Sequence, residues 1–243
     1  MPYRDYKVCP YCNDKGMIIK EDLETKEKVK VKGITCMCQI ALTVNKLFPI
    51  LSTVPDPSIE DIVSIGKTYK IKTIDKTFKY KNCVFFGDEK KFIYLFKSIC
   101  LGSYYGTTKF ELLDGLQVVH KYHVEQMEGI DRDIYTLLNF DLLGLFFTNE
   151  TENKAMDKTV HDTVEGRLRY GKNTWAFAKS SIDLKRNKGC NENTYTMLMD
   201  SNLFEIIDLS TQQNFDYSGY NSEFDITRKS SSEANRIASK LFS

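Results

Sequence analysis

Two close cysteine pairs, Cys9-Pro-Tyr-Cys12 and Cys36-Met-Cys38, hold four of the seven cysteines in the chain. Each pair presents two thiolates from one turn of backbone, and two such pairs supply the soft ligands of a tetrahedral zinc site with no open position for catalysis. The chemistry expected of Cys9, Cys12, Cys36 and Cys38 is therefore structural, with bound metal supplying folding free energy to a module too small to build its own core. Disulfides or buried thiols are the plainer alternative, and the single residue between Cys36 and Cys38 is shorter than the common zinc spacing.

A second set of candidates is basic. Tyr69-Lys70-Ile71-Lys72 and Phe78-Lys79-Tyr80-Lys81 alternate apolar and cationic residues, the pattern of a strand with one face buried. Lys70, Lys72, Lys79 and Lys81 could then line up along a phosphate backbone, with aromatics beside them, and single-stranded or duplex DNA is the expected partner. The plainer reading is a solvated lysine face that guards a strand edge. Charge is distributed unevenly: residues 66–97 hold nine lysines against three acids, whereas residues 189–227 hold seven acids and no lysine or arginine. One part of the molecule suits a polyanion and another repels it.

A third candidate is Gly87-Asp88-Glu89-Lys90-Lys91, which follows an apolar run as a phosphate loop would. It lacks a second glycine and a Ser or Thr after the lysines, and it places carboxylates where an anion would bind. His120 and His123, with Glu125 close by, could suggest a second metal but read more simply as an exposed helix carrying two histidines, and His161, Asp157 and Asp162 lie on one predicted helix with no partner nucleophile. Trp175, the single tryptophan, reads as core.

The elements that must position these residues follow from periodicity. Met17-Ile18-Ile19-Lys20 and Val29-Lys30-Val31-Lys32 predict a hairpin between the cysteine pairs. Residues 40–48 have helical spacing ended by Pro49, Pro55 and Pro57 keep the chain extended, and Ser58 can cap a helix over 59–65. From residue 83 onward, near-continuous apolar runs at 83–86, 108–113, 142–147, 174–178 and 204–209 alternate with helical stretches. That alternation predicts an α/β fold with a five-stranded parallel sheet covered on both faces. The expected domains are a zinc-binding module (1–42), a helical linker (43–65), an α/β domain (66–210), and a polar tail with a C-terminal amphipathic helix (211–243).

A chain of 243 residues with 42% hydrophobic and 28% charged content has the composition of a folded globular protein. It has no apolar run of membrane-spanning length and no cleavable apolar leader, so a cytoplasmic setting without membrane contact is expected. Cys83, Cys100 and Cys190 are then buried thiols.

The order of parts, a cysteine pair, a hairpin, a Cys-x-Cys, a helical stretch and a five-stranded α/β domain, resembles the bacterial and phage helicase loaders of the DnaC/DnaI type, whose body is an AAA+ ATPase domain. Val84-Phe85-Phe86-Gly87 is similar to their first strand and the start of their phosphate loop. Asp141-Leu142-Leu143 resembles the start of the strand that ends in magnesium-binding acids, and Arg169-Tyr170-Gly171-Lys172-Asn173-Thr174 the approach to their sensor strand. The resemblance implies a zinc ribbon-like module followed by an AAA+-type three-layer domain, and a replicative helicase as partner.

The departures from that family mark the nucleotide site as degenerate at Gly87, Lys90 and Lys91. Phe146 and Phe147 stand where the magnesium acids belong, Ser180 or Ser181 replaces the sensor asparagine, and residues 194–201 hold no arginine finger. The expectation is a DNA replication adaptor that binds helicase and DNA without hydrolysing ATP, with structural zinc as its cofactor and no nucleotide. A phage source, and hence the host cytoplasm, would fit such divergence. The rival readings are a zinc-ribbon regulator that binds DNA or a polymerase, and an ATPase with an unconventional nucleotide site.

Overall fold

The structure, a computed structural model, describes residues 17–18, 34–72, 78–103, 109–127, 136–148 and 155–210. Cys9, Cys12, the run Val29-Lys30-Val31-Lys32 and the tail from residue 211 fall outside the described residues.

Five apolar runs form one parallel sheet: β5 (Cys83–Phe86), β6 (Phe110–Asp114), β7 (Leu142–Phe146), β8 (Asn173–Ala178) and β9 (Glu205–Asp208). Their order in space is β6-β7-β8-β5-β9. The chain leaves β5 for the far edge at β6, steps back through β7 and β8, then passes over β5 to reach β9. The connection out of β5 thus runs against the other three, and the direction of the connections, not of the strands, reverses between β5 and β8. Register there is fixed by Cys83 opposite Trp175 and Phe86 opposite Ala178. The α/β class and the five-stranded parallel sheet are as the sequence predicted.

One face of the sheet is aromatic. Helix α3 (Glu89–Gly102) lays Phe92 and Phe96 on Phe85, Trp175 and Phe177, with Phe92 stacked on Phe177 at 5.1 Å between centroids and Phe85 at 4.9 Å from Trp175. Rings of this size contribute both apolar area and edge-to-face geometry. Helices α1 (Met37–Leu47) and α2 (Ile59–Tyr69) complete that layer by packing on α3, burying Ile40, Ala41, Val44, Ile62 and Ile65. Residues 43–65, read from the sequence as a linker, are thus part of the main core.

A buried cation fastens the extended stretch between α1 and α2. Lys97, 1% exposed, donates from Nζ to the carbonyls of Leu51 at 3.0 Å and Val54 at 3.1 Å, and lies 2.5 Å from the Asp56 carboxylate. Burial pushes the Lys97 pKa down, and Asp56 opposes that shift.

The opposite face is aliphatic. Helices α4 (Gly115–Met127), α5 (Thr136–Asn139), α6 (Met156–Arg169), α7 (Ser181–Arg186) and α8 (Glu192–Leu198) cover it, with Val118, Val160, Val164 and Leu198 against Val84, Leu143, Leu145 and Ala176. Arg167, fully buried, donates to Leu137 O at 2.6 Å, to Thr174 Oγ1 at 3.0 Å and to Asn173 O, so that α5, α6 and the start of β8 share one anchor. Its desolvation brings the guanidinium pKa down to about 9.

Two short antiparallel ribbons stand apart from the sheet. Strands β1 (Met17–Ile18) and β2 (Ile34–Thr35) pair Met17 with Thr35 and Ile18 with Ile34. Strands β3 (Lys70–Lys72) and β4 (Phe78–Tyr80) pair Lys70 with Tyr80, Ile71 with Lys79 and Lys72 with Phe78.

Candidate functional site

In open α/β sheets ligands bind beyond the carboxyl ends of the strands, where connection direction reverses. Here that place lies between the ends of β5 and β8, and the chain itself fills it. Gly87 follows β5 at φ 106°, and its N–H donates to Lys179 O, just past β8, at 3.1 Å. Asp88 then caps α3, its Oδ1 accepting from Lys90 N at 2.8 Å and Lys91 N at 3.2 Å. Those amides are the donors that a phosphate would use at a helix N-terminus, and a carboxylate of the same chain already occupies them.

The end of β9 closes the remaining side. Lys91 Nζ donates to Leu209 O at 2.9 Å, and Leu209 N donates to Phe86 O at 2.7 Å. A Cβ on Gly87 would stand 2.7 Å from Ser210 N, which shows how closely this segment lies on the loop. Asp208 Oδ1 accepts from Ser210 N at 2.8 Å and Ser210 Oγ at 2.5 Å. Those bonds, with the Lys91 charge, hold the Asp208 carboxyl below the usual aspartate range. Asp88, Glu89 and Asp208 surround a position where a nucleotide would bring its own negative charge.

The other positions singled out in the sequence are also engaged in the structure. Phe146, at the end of β7, packs edge-on against Phe92 at 5.2 Å and Phe177 at 5.8 Å. Ser180 caps α7, its Oγ accepting from Asp183 N at 3.1 Å and donating to Asp183 Oδ2 at 2.6 Å. Gly87, Lys90 and Lys91 thus lie in a closed turn. Lys91 contributes a strand clamp that no local pattern announced, because its acceptor lies 118 residues away.

The lysines expected to form one row are split by register. Lys70 and Lys72 pair with Tyr80 and Phe78, whereas Lys79 pairs with Ile71, so Lys79 alternates with the two lysines of β3 across the ribbon. Lys79 is exposed, and Lys81 Nζ lies 3.0 Å from Glu205 Oε2. These two line a shallow groove of about 710 Å³ at the amino ends of β5, β8 and β9, together with Asn82, Asn173, Leu203 and Ile206. The asparagines set its floor: Asn173 Oδ1 accepts from Tyr80 N at 3.2 Å and Asn82 Oδ1 from Thr174 N at 2.8 Å. Nothing in their local sequence marks them, because each side chain bonds to backbone more than ninety residues away.

Of the four cysteines, the structure places two. Cys36 is the N-cap residue of α1, fully buried, and Cys38 is half-buried in the first turn. Among the described residues no group of three or more His, Cys, Asp or Glu could hold a metal. The pairing of Met17 with Thr35 brings the chain that follows Cys12 against the chain that precedes Cys36. Cys36 and Cys38 thus stand one residue apart at the start of α1.

No helix among the described residues is long and apolar enough to cross a membrane. No family model matches the chain, and no curated protein sequence matches it. Among solved structures the chain is similar to AMPPCP-bound DnaA from Aquifex aeolicus, at a TM-score of 0.47 and 9% identity over 82% of this chain. The match spans 60% of that protein's length.

Proposed function

We propose that this protein is a DNA replication adaptor of the helicase-loader kind, in which a zinc-shaped N-terminal module engages a replicative helicase and the α/β body serves as a platform that does not hydrolyse ATP. The observation that carries the non-hydrolysing part is the closed turn after β5. Asp88 occupies the α3 amides, and Ser210 lies against Gly87. A triphosphate would have to displace a capping carboxylate and a strand end before meeting its first donor. The helicase as partner follows from the layout that resembles the loaders. The exposed Lys79 beside the groove supports a contact with DNA, at one residue rather than along a four-lysine row.

Two measurements test this reading. Phosphate release with DNA and helicase present should stay at background, and Lys90→Ala and Lys91→Ala should leave it there; turnover that these substitutions abolish would establish the unconventional ATPase instead. Affinity capture with the full chain should retain replicative helicase, and capture of an RNA or DNA polymerase without helicase would favour the zinc-ribbon regulator.

A further inference from the structure

In a parallel sheet the residues just ahead of each strand gather at one end, however far apart they lie in the chain. Here the register aligns Phe110, Leu142 and Asn173, so Lys109, Asp141 and Lys172 stand in one row at the amino end. Lys81 lies two residues ahead of β5, and its Nζ is 3.0 Å from Glu205 at the start of β9. Lys79 joins the row from β4: its Nζ lies 3.6 Å from where a Cβ on Gly171 would stand, next in the chain to Lys172. Lysines from three separate stretches of sequence thus run from β6 to β5, three strand spacings or about 14 Å.

The four are not equivalent. Lys172 lies 2.9 Å from Asp141, and Lys81 is matched by Glu205. Lys79 and Lys109 are exposed, and no carboxylate among the described residues pairs with either. Next to this row lies the groove at the amino ends of β5, β8 and β9. Its Leu203 and Ile206 are 41% and 42% exposed, an apolar wall left open. Thr174 N donates to Asn82 Oδ1 at 2.8 Å, which commits the Asn82 oxygen and leaves its amide hydrogens without a partner among the described residues.

Spaced cations suit a phosphate chain, and an open apolar wall beside an amide donor suits the face and edge of an unpaired base. A duplex keeps its base faces stacked on one another and would leave that wall unused. We propose that the amino end of the sheet is a track for single-stranded nucleic acid, with phosphates at Lys109 and Lys79 and an unstacked base in the groove against Leu203 and Ile206, its acceptors facing Asn82. This deepens the DNA contact given under Proposed function and rests on it.

Fluorescence anisotropy with the full-length protein tests the placement, using labelled oligothymidine and an abasic strand of the same length. Lys79→Ala/Lys109→Ala should lower the slope of log affinity on log salt by about 1.4, the contribution of two single-strand phosphate contacts. Leu203→Ser/Ile206→Ser changes only exposed side chains, and unchanged emission from the buried Trp175 checks that the fold is kept. That variant should weaken oligothymidine at least about fivefold and leave the abasic strand unaffected. Equal loss for both strands, or a salt slope that the lysine variant does not move, would overturn the track and leave a DNA contact elsewhere. A duplex bound as tightly as the single strand would overturn it too, as would displacement by poly-glutamate at matched charge, which would mark an acidic-peptide surface. No binding of oligothymidine at low salt would overturn both the track and the DNA contact itself.

Discussion

The Lys91 ammonium donates to the Leu209 carbonyl at 2.9 Å, joining the first turn of α3 to the end of β9. In a phosphate-binding domain the corresponding helix start faces an open crevice, and its amides and a lysine converge on a ligand. Here the lysine reaches the chain's own strand end, and the amides reach Asp88. The start of α3 and the end of β9 are tied together here in a structural knot.

Gly87 is the tightest point of that knot. At φ 106°, with Ser210 N 2.7 Å from where a Cβ would stand, Gly87→Ala should cost about 1–3 kcal/mol. Urea unfolding followed by Trp175 emission measures it. A change within about 0.5 kcal/mol, the usual range for an unremarkable surface site, would mean that the segment at Ser210 does not press on the loop.

Asp208 gives the knot a pH signature. Its carboxyl accepts two bonds from Ser210, and its pKa is lowered. A lowered acid contributes stability that is fully present above the unfolded-state aspartate pKa and is lost as pH falls through the folded value. Ser210→Ala should therefore move the Asp208 titration upward, read by carboxyl NMR shifts, and reduce the pH dependence of stability below the ordinary aspartate range.

Lys97 and Asp56 form a buried pair, 1% and 5% exposed at the side chain. Removing one partner leaves an uncompensated buried charge, so Lys97→Ala should destabilise by about 3–5 kcal/mol. Replacing both with apolar residues, Lys97→Met with Asp56→Leu, should recover much of that loss. The carbonyls of Leu51 and Val54 still lose their donor, so recovery should be incomplete. Thermal melts of the two variants, side by side, check the difference.

Lys79 should carry more of any nucleic-acid contact than Lys81, whose charge is matched by Glu205. Lys79→Ala should lower the dependence of log affinity for single-stranded DNA on log salt by about 0.7, the contribution of one phosphate contact. Lys81→Ala should change it less. Equal effects from the two substitutions, measured by fluorescence anisotropy across a salt series, would show that the Glu205 pair opens on binding.

Much of this molecule was legible in the chain itself. The apolar runs at Cys83–Phe86 and Leu142–Phe146 have no polar alternation, and such runs are stable only when covered on both faces, so a parallel sheet followed from local pattern. The cap at the start of α3 was equally local, since Asp88 stands just before the amides of Lys90 and Lys91 that it accepts from. What local pattern missed was long-range pairing. The four lysines read as one row because each strand alternates correctly, but cross-strand register decides which positions share a side, and it set Lys79 opposite Ile71. Residues 43–65 read as a linker because Pro55 and Pro57 interrupt the helices; only the tertiary structure shows Lys97 drawing that extended chain into the core. Composition and periodicity report the partners a residue has within a few positions, which is enough to fix each element and its buried face. The closure of the crevice by Ser210 and the clamp from Lys91 to Leu209 depend on groups more than a hundred residues apart, and only the folded sheet brings them within hydrogen-bonding distance.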